Sequence, residues 1–393
     1  MDVLSIVTAL AIILLAGSLA SWLGAKLRIP DVLLLLITGV CLSIITFGGE
    51  RVLSFPPLFL TSIGVIALAL ILFDSMARVK LRELDSFSFK ALKLVLVFTL
   101  LILVGFSAAA HYLAGFSWWL ALLLAALLSG TSPDIVLSLL GTSKHHTIEL
   151  LKLESIFNTP LTVLLPFIVL DIAGGFEAGV TQEFVTHFAR FLTELVSGIG
   201  AGVIVALVLL KVIKKAHNTP YEFLAIIVAI LVSYVLAENL NGNGVLAVTT
   251  LGLFFGNSIL KDKRHLLTFE SLIARSLYIF VFVLLGLVLS LPLTLEFFLS
   301  SLSLFGVYLL IRFVAVGLSV KSSFKELIFA TLNCSKGVAT ATVLFALALL
   351  PTAESLVRVL DYALAIILYS ILAASLAAWA SKKLIGEVVE KAA

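Results

Sequence analysis

The sequence predicts an all-α polytopic membrane protein with thirteen transmembrane helices, and three observations carry that prediction. Hydrophobic residues fill 61% of the 393 positions, charged residues 12%, and mean hydropathy is +1.21, whereas an ordinary soluble domain is about 25% charged. The apolar residues fall into thirteen stretches close to the ~20 residues that one bilayer crossing needs: 3–23, 31–48, 57–77, 88–112, 118–141, 148–173, 190–213, 219–237, 243–258, 268–290, 296–318, 325–348 and 357–381. Basic residues also alternate strictly along the chain. Twenty of the 26 Lys and Arg lie in the odd-numbered connections and the C-terminal tail, and only Arg51, Arg190 and Arg358 lie in the even-numbered ones. A miscounted span would scramble that alternation. The positive-inside rule then places the N-terminus outside and the C-terminus in the cytoplasm of a cell-membrane protein.

Span 1 lacks a basic leading region and is too long for a cleaved signal, so it reads as a true crossing. Span 2 follows Lys26-Leu27-Arg28-Ile29-Pro30, and span 3 ends near Asp74. Span 5 is nearly pure hydrocarbon from Leu120 to Leu128 and then meets Gly130-Thr131-Ser132-Pro133-Asp134. A glycine, a proline and a carboxylate at that depth should break a membrane helix, and the freed backbone groups need a cavity or another broken helix beside them. Span 12 supplies the second break at Asn333-Cys334-Ser335-Lys336-Gly337. The two breaks lie seven spans apart, which suggests an inverted repeat of spans 1–6 and 8–13 with span 7 as the joint. Discontinuous helices crossing at the midplane form the ion sites of many secondary transporters.

Span 6 carries the most specific polar stripe. Glu154, Ser155, Asn158 and Thr159 fall at i, i+1, i+4 and i+5, on one helical face, and Thr162 extends it. Hydroxyl and amide oxygens beside a carboxylate can replace part of a monovalent cation's hydration shell; the same side chains also serve simply to bond helix to helix. Pro160 and Pro166 should kink or loosen this span. Embedded charges elsewhere include Asp74, Asp134, Asp171, Arg275, Arg312 and Lys336, each expensive in lipid and expected to face protein, a partner or water. His145 and His146 fall in the connection before span 6 with Lys144. Cys41 and Cys334 both lie within spans and suggest no disulfide.

Several classes are excluded. A net charge of +3 suggests no nucleic-acid partner. The chain has no phosphate-cradling loop with lysine, no HExxH pair and no GxSxG elbow, so neither enzymatic chemistry nor a cofactor is expected.

Taken in order, the motifs resemble those of the monovalent cation:proton antiporter superfamily, of the archaeal and bacterial sodium/proton exchanger type. Lys26-Leu27-Arg28-Ile29-Pro30-Asp31-Val32 is similar to the family's approach to its second helix, and Leu72-Phe73-Asp74 to its "LFE" position. Glu154-Ser155-Ile156-Phe157-Asn158-Thr159-Pro160-Leu161 resembles "ESxFNDPL", Gly242-Asn243-Gly244 its ninth-helix start, Arg312 its eleventh-helix base, and Ser335-Lys336-Gly337-Val338 its "PRGV". Two departures stand out: the family's ion-binding aspartate is Thr159 here, and the acid of its "TDP" break is Ser132.

The resemblance implies sodium or potassium/proton antiport by an elevator mechanism, with Na+, K+ or Li+ and H+ competing at one site in the bilayer. It implies a homodimer built through a scaffold of 1–80 and 176–292, with a moving core of 81–175 and 293–393. It places the proton and cation site at Thr131, Ser132, Ser155, Asn158 and Thr159, with the proton-carrying carboxylate moved to Asp134 or Asp74. A threonine ligates a cation but does not titrate in the working range. The resemblance also implies a structural ion pair between Glu154 and Lys336; Lys336 is alternatively a proton carrier itself, since lysine shifts its protonation more readily than arginine, and Arg312 reads as an anchor at a helix end or between core and scaffold rather than as a substrate ligand. The departures leave open a transporter of another small solute, such as an organic anion received by Lys336 and Arg312, or an ion-binding homologue without coupling.

Overall fold

The computed structural model describes residues 3–27, 30–47, 50–51, 55–77, 86–132, 145–176, 183–215, 221–258, 263–288, 291–292, 294–350 and 353–386. Among these residues the fold is helical apart from a two-residue antiparallel pairing of Thr46–Phe47 with Glu50–Arg51. Among the described residues seven helices are long and apolar enough to cross a membrane: Ile6–Leu27, Phe89–Ala114, His146–Leu170, Leu192–Ile213, Tyr221–Asn239, Leu295–Ser319 and Leu356–Trp379. Shorter apolar helices lie at Asp31–Ile44, Leu58–Asp74, Trp118–Leu127, Gly244–Asn257, Ile273–Val288 and Ala339–Ala348.

The helices in chain order are α1 (Val3–Leu27), α2 (Asp31–Ile44), α3 (Pro57–Ala77) and α4 (Ser86–Leu101). A π-helical turn, Ile102–Phe106, joins α4 to α5 (Ser107–Ala114), which stops on Gly115 in the left-handed conformation, φ 67°. Then come α6 (Trp118–Leu127), α7 (His146–Phe176), α8 (Glu183–Lys215), α9 (Tyr221–Asn239) and α10 (Gly244–Asn257). The chain continues through α11 (Lys263–Val288), α12 (Leu295–Ser319), α13 (Phe324–Leu332), α14 (Val338–Ala348), α15 (Ala353–Trp379) and α16 (Ser381–Leu384). Starts are set by local side chains. Asn243 accepts from the Leu246 N–H to cap α10, Thr294 from Phe297 to cap α12, and Ser323 and Glu326 form a reciprocal capping box on α13.

The chain divides into two compact units, one of residues 1–61, 85–162 and 279–393, the other of residues 62–84 and 163–278. In the first unit α12 packs on α4, α5, α13 and α15, and α15 packs on α6 and α14. Its buried face carries Tyr308 and Arg312, one turn apart. Elsewhere in this unit α2 and the end of α11 touch backbone to backbone. A Cβ on Gly39 would lie 2.9 Å from the Gly286 Cα, and one on Gly286 3.2 Å from the Gly39 Cα. In the second unit α8 lies on α9 and α10, with Ala201, Ala237 and Ala247 forming a small-residue seam that lets the helices approach.

The Gly39–Gly286 crossing yields a stability prediction. Gly286→Val should lower stability by about 1–3 kcal/mol through overpacking, read as a lower melting temperature in detergent. Gly306→Ala, where an added Cβ meets nothing within 4 Å, should cause no loss.

Candidate functional site

Span 12 is discontinuous. α13 ends at Leu332, residues 333–337 are non-helical, and α14 begins at Val338. In span 5, α6 ends at Leu127 and residues 130–132 run without helical structure; Pro133 and Asp134 lie outside the described residues. The two unwound segments bind each other directly. The Ser132 N–H donates to the Ser335 carbonyl at 2.7 Å, and the Ser335 hydroxyl donates to the Ser132 carbonyl at 2.6 Å. Each segment thus satisfies backbone groups that the other exposes, which is what irregular backbone in a membrane requires.

Helix α7 supplies the floor beneath this crossing and runs through Pro160 and Pro166 as one element. Glu154, Asn158 and Thr162 point from it into the protein, each at most 2% exposed. Thr131 joins this row to the break. Its hydroxyl donates to Glu154 Oε1 at 3.1 Å and accepts from Asn158 Nδ2 at 2.9 Å. Gly130 is required there, because a Cβ would overlap the Thr162 side chain. Ser155 and Thr159 are half-buried, and their hydroxyls donate to the carbonyls of Lys152 and Ser155, leaving oxygen lone pairs to accept or ligate.

Two cations fill the centre. Arg312 holds Glu154 with both terminal nitrogens: Nη1 on Oε1, and Nη2 on Oε2 at 2.7 Å. Both residues have no exposure, and the guanidinium also lies over the Phe98 ring, 5.0 Å from its centroid. Lys336 spends all three of its donors on protein oxygens, namely the Leu128 carbonyl, the Gly130 carbonyl at 2.6 Å and the Tyr308 hydroxyl at 2.6 Å. Its charge therefore sits where α6 ends and its carbonyls lack helical partners. Tyr308 is held edge-on by Phe98 and Phe106, the latter set by the π-turn.

This geometry corrects two expectations. Glu154 does not pair with Lys336; its ion-pair partner is Arg312. Arg312 is accordingly no helix-end anchor but the buried counter-ion of the stripe. The reason lies in donor shape. A planar guanidinium matches both carboxylate oxygens at once, whereas a compact ammonium suits three converging oxygens.

The sequence-predicted residues Thr131, Ser132, Asn158, Glu154, Lys336 and Arg312 are thus brought into one connected set, with Ser155 and Thr159 on its flank. Asp74 lies half-buried on α3 in the second unit. Two further polar groups stand out, Asn333 from the predicted break and Asp361, which the sequence reading does not single out. Asn333 Oδ1, in the break of span 12, is buried with no hydrogen-bond partner among the described residues. Asp361 on α15 is 5% exposed and has neither ion pair nor hydrogen bond among the described residues. For Asp361 the only signal in the sequence is a lone aspartate in the apolar stretch 357–381.

A family model described as "Sodium/hydrogen exchanger, transmembrane" matches residues 10–381. The chain belongs to the sodium/hydrogen exchanger family. It is therefore a multi-span membrane protein of a transporter family. It is 26% identical over 381 residues to Na+/H+ antiporter 1 of Methanocaldococcus jannaschii, covering 87% of this chain and 83% of that one. It is 30% identical over 234 residues to the low-affinity Na+/H+ antiporter NhaS1 of Synechocystis, and 28% identical over 316 residues to the K+/H+ antiporter NhaP2 of Shewanella. These matches cover 58% and 79% of this chain but span only 42% and 54% of those relatives' length. The fold matches the structure of the sodium proton antiporter MjNhaP1 from Methanocaldococcus jannaschii at pH 8, with a TM-score of 0.78, 22% identity and coverage of 98% of this chain and 100% of that one.

The buried pair makes a clear energetic prediction. Glu154→Leu or Arg312→Met alone should destabilise the protein by about 3–5 kcal/mol, because each strands a buried charge. The double variant should regain most of the loss. Melting of the three purified variants in one detergent measures this, and equal losses in all three would contradict it.

Proposed function

We propose that this family member exchanges a monovalent cation, Na+ or K+, for protons by alternating access. The observation that supports this most directly is the mutual hydrogen bonding of the two unwound segments over Thr131 and Asn158. It concentrates uncharged oxygen donors at the place where an inverted repeat would cross. Thr131, Ser132, Ser155, Asn158 and Thr159 form the cation's ligand shell, and Asn333 Oδ1 adds an acceptor that has no protein partner among the described residues.

Coupling requires one group that holds either a proton or the influence of the cation. Thr159 cannot be that group. Glu154 is committed to Arg312. The proton carrier is then Asp134 or Asp74, with Asp361 as a further embedded carboxylate to be tested and Lys336 as the alternative carrier, because a lysine, unlike an arginine, can give up its proton when buried. An elevator movement of a core built from spans 4–6 and 11–13, against a scaffold through which the homodimer forms, would then expose the site to each side in turn. The N-terminus is outside and the C-terminus cytoplasmic. The names of the relatives, Na+/H+ and K+/H+ antiporters, support exchange of a monovalent cation for protons.

The anion alternative is disfavoured by the same geometry. All three donors of Lys336 and both terminal nitrogens of Arg312 are taken by protein oxygens. An anion would have to displace them.

Reconstitution into liposomes with an imposed pH gradient tests the proposal. Addition of Na+, K+ or Li+ to wild type should move internal pH. Asp134→Asn, Asp74→Asn or Asp361→Asn should reduce that flux at least tenfold in the variant that lacks the proton carrier. Wild type without flux, together with flux gained in Thr159→Asp, would overturn coupled transport and leave an ion-binding scaffold without its titrating group.

A further inference from the structure

Away from the crossing, three side chains converge at the start of α7 and the start of α13. His146 Nε2 lies 3.2 Å and His145 Nε2 3.9 Å from the same oxygen, Oε1 of Glu326. One ligand atom from each residue falls within 4.8 Å of the other two. The two imidazole rings lie face to face, with centroids 4.6 Å apart and planes 27° from parallel.

The carboxylate is oriented for this. Its other oxygen, Oε2, accepts from the Ser323 N–H at 2.8 Å as half of the α13 capping box, which leaves Oε1 turned toward the imidazoles. A carboxylate fixed through one oxygen by backbone is a common support of metal ligands. Two imidazoles and one carboxylate form a donor set suited to Zn2+ and its first-row neighbours and poorly suited to Mg2+ or Ca2+.

We propose that His145, His146 and Glu326 form a binding site for a divalent first-row transition ion of the Zn2+ class, open on its remaining positions to water. The His146 side chain is 53% exposed, so its ring can swing out of the stack to point at a metal. Ligation through His145 Nε2 moves that ring's proton to Nδ1. The contact that the Thr147 N–H makes there, at 3.2 Å, is then given up. Bound metal would fasten the start of the helix that carries Glu154 to the start of the helix that leads to Lys336. The site is separate from the Thr131–Asn158 cluster, and it stands or falls independently of antiport.

Calorimetry of the full-length protein, stripped with chelator and freed of any affinity tag, tests this with ZnCl2 as the probe. Wild type should take up one Zn2+ per chain, unaffected by millimolar Mg2+ or Na+, and more weakly as pH falls because the imidazoles must be unprotonated. His146→Ala should weaken binding at least tenfold. So should Glu326→Gln, which keeps the capping box because glutamine serves that position as well. Co2+ should give the ligand-field absorption of a nitrogen and oxygen site in wild type, and that signal should vanish in His145→Ala. No saturable binding in wild type, or equal binding in the His146→Ala/Glu326→Gln double variant with an unchanged melting temperature, would overturn the proposal.

Discussion

Glu154 and Arg312 neutralise each other in a part of the protein with no access to solvent, and the surrounding geometry follows from that pairing. A single charge at this depth would cost several kcal/mol. The bidentate arrangement removes most of that cost and fixes the carboxylate plane. Thr131 then donates to the same oxygen that faces Arg312, so the pair also decides where the unwound end of span 5 lies. Asn158, one turn further along α7, holds Thr131 from its other side. With that segment pinned, its carbonyls present themselves to Lys336, whose ammonium closes the end of α6.

The remaining chemistry of the site is neutral. The position at which the resemblance implies an aspartate holds Thr159, and its hydroxyl bonds back to its own helix. Both central bases bond within the protein, Arg312 through its two terminal nitrogens and Lys336 through all three donors. A site made of hydroxyls, an amide and carbonyl oxygens suits a weakly held monovalent cation, which must leave as readily as it enters. Thr159 itself cannot exchange a cation for a proton, since a hydroxyl does not titrate in the working range.

Much of the fold was legible in the sequence. Apolar stretches of bilayer length and alternating basic connections mark the spans, and every described long helix falls on one of them. The breaks of spans 5 and 12 were legible too, because Gly130-Thr131-Ser132 and Asn333-Cys334-Ser335-Lys336-Gly337 interrupt hydrocarbon with groups that a lone membrane helix does not tolerate. The stripe of Glu154 and Asn158 followed from helical spacing alone. The partner of Glu154 did not. Arg312 and Lys336 are both single bases in apolar spans, and no local pattern says which of them reaches the carboxylate. The burial of Asp361 is not legible in the sequence for a similar reason: it exists only once neighbouring helices are in place.

The sequence by itself therefore determined the membrane class, the long apolar helices, the two interruptions and the polar face of α7. These depend on hydropathy and on periodicity along one helix, which are local properties. Only the tertiary structure decided that the interruptions bond to each other, that Arg312 neutralises Glu154 while Lys336 takes the carbonyls of α6, and that His145, His146 and Glu326 meet. Those are contacts between residues up to about two hundred positions apart in the chain. They depend on which helix faces which and on the shapes of donors and acceptors across the gap. That information resides in packing, not in the order of residues along any one span.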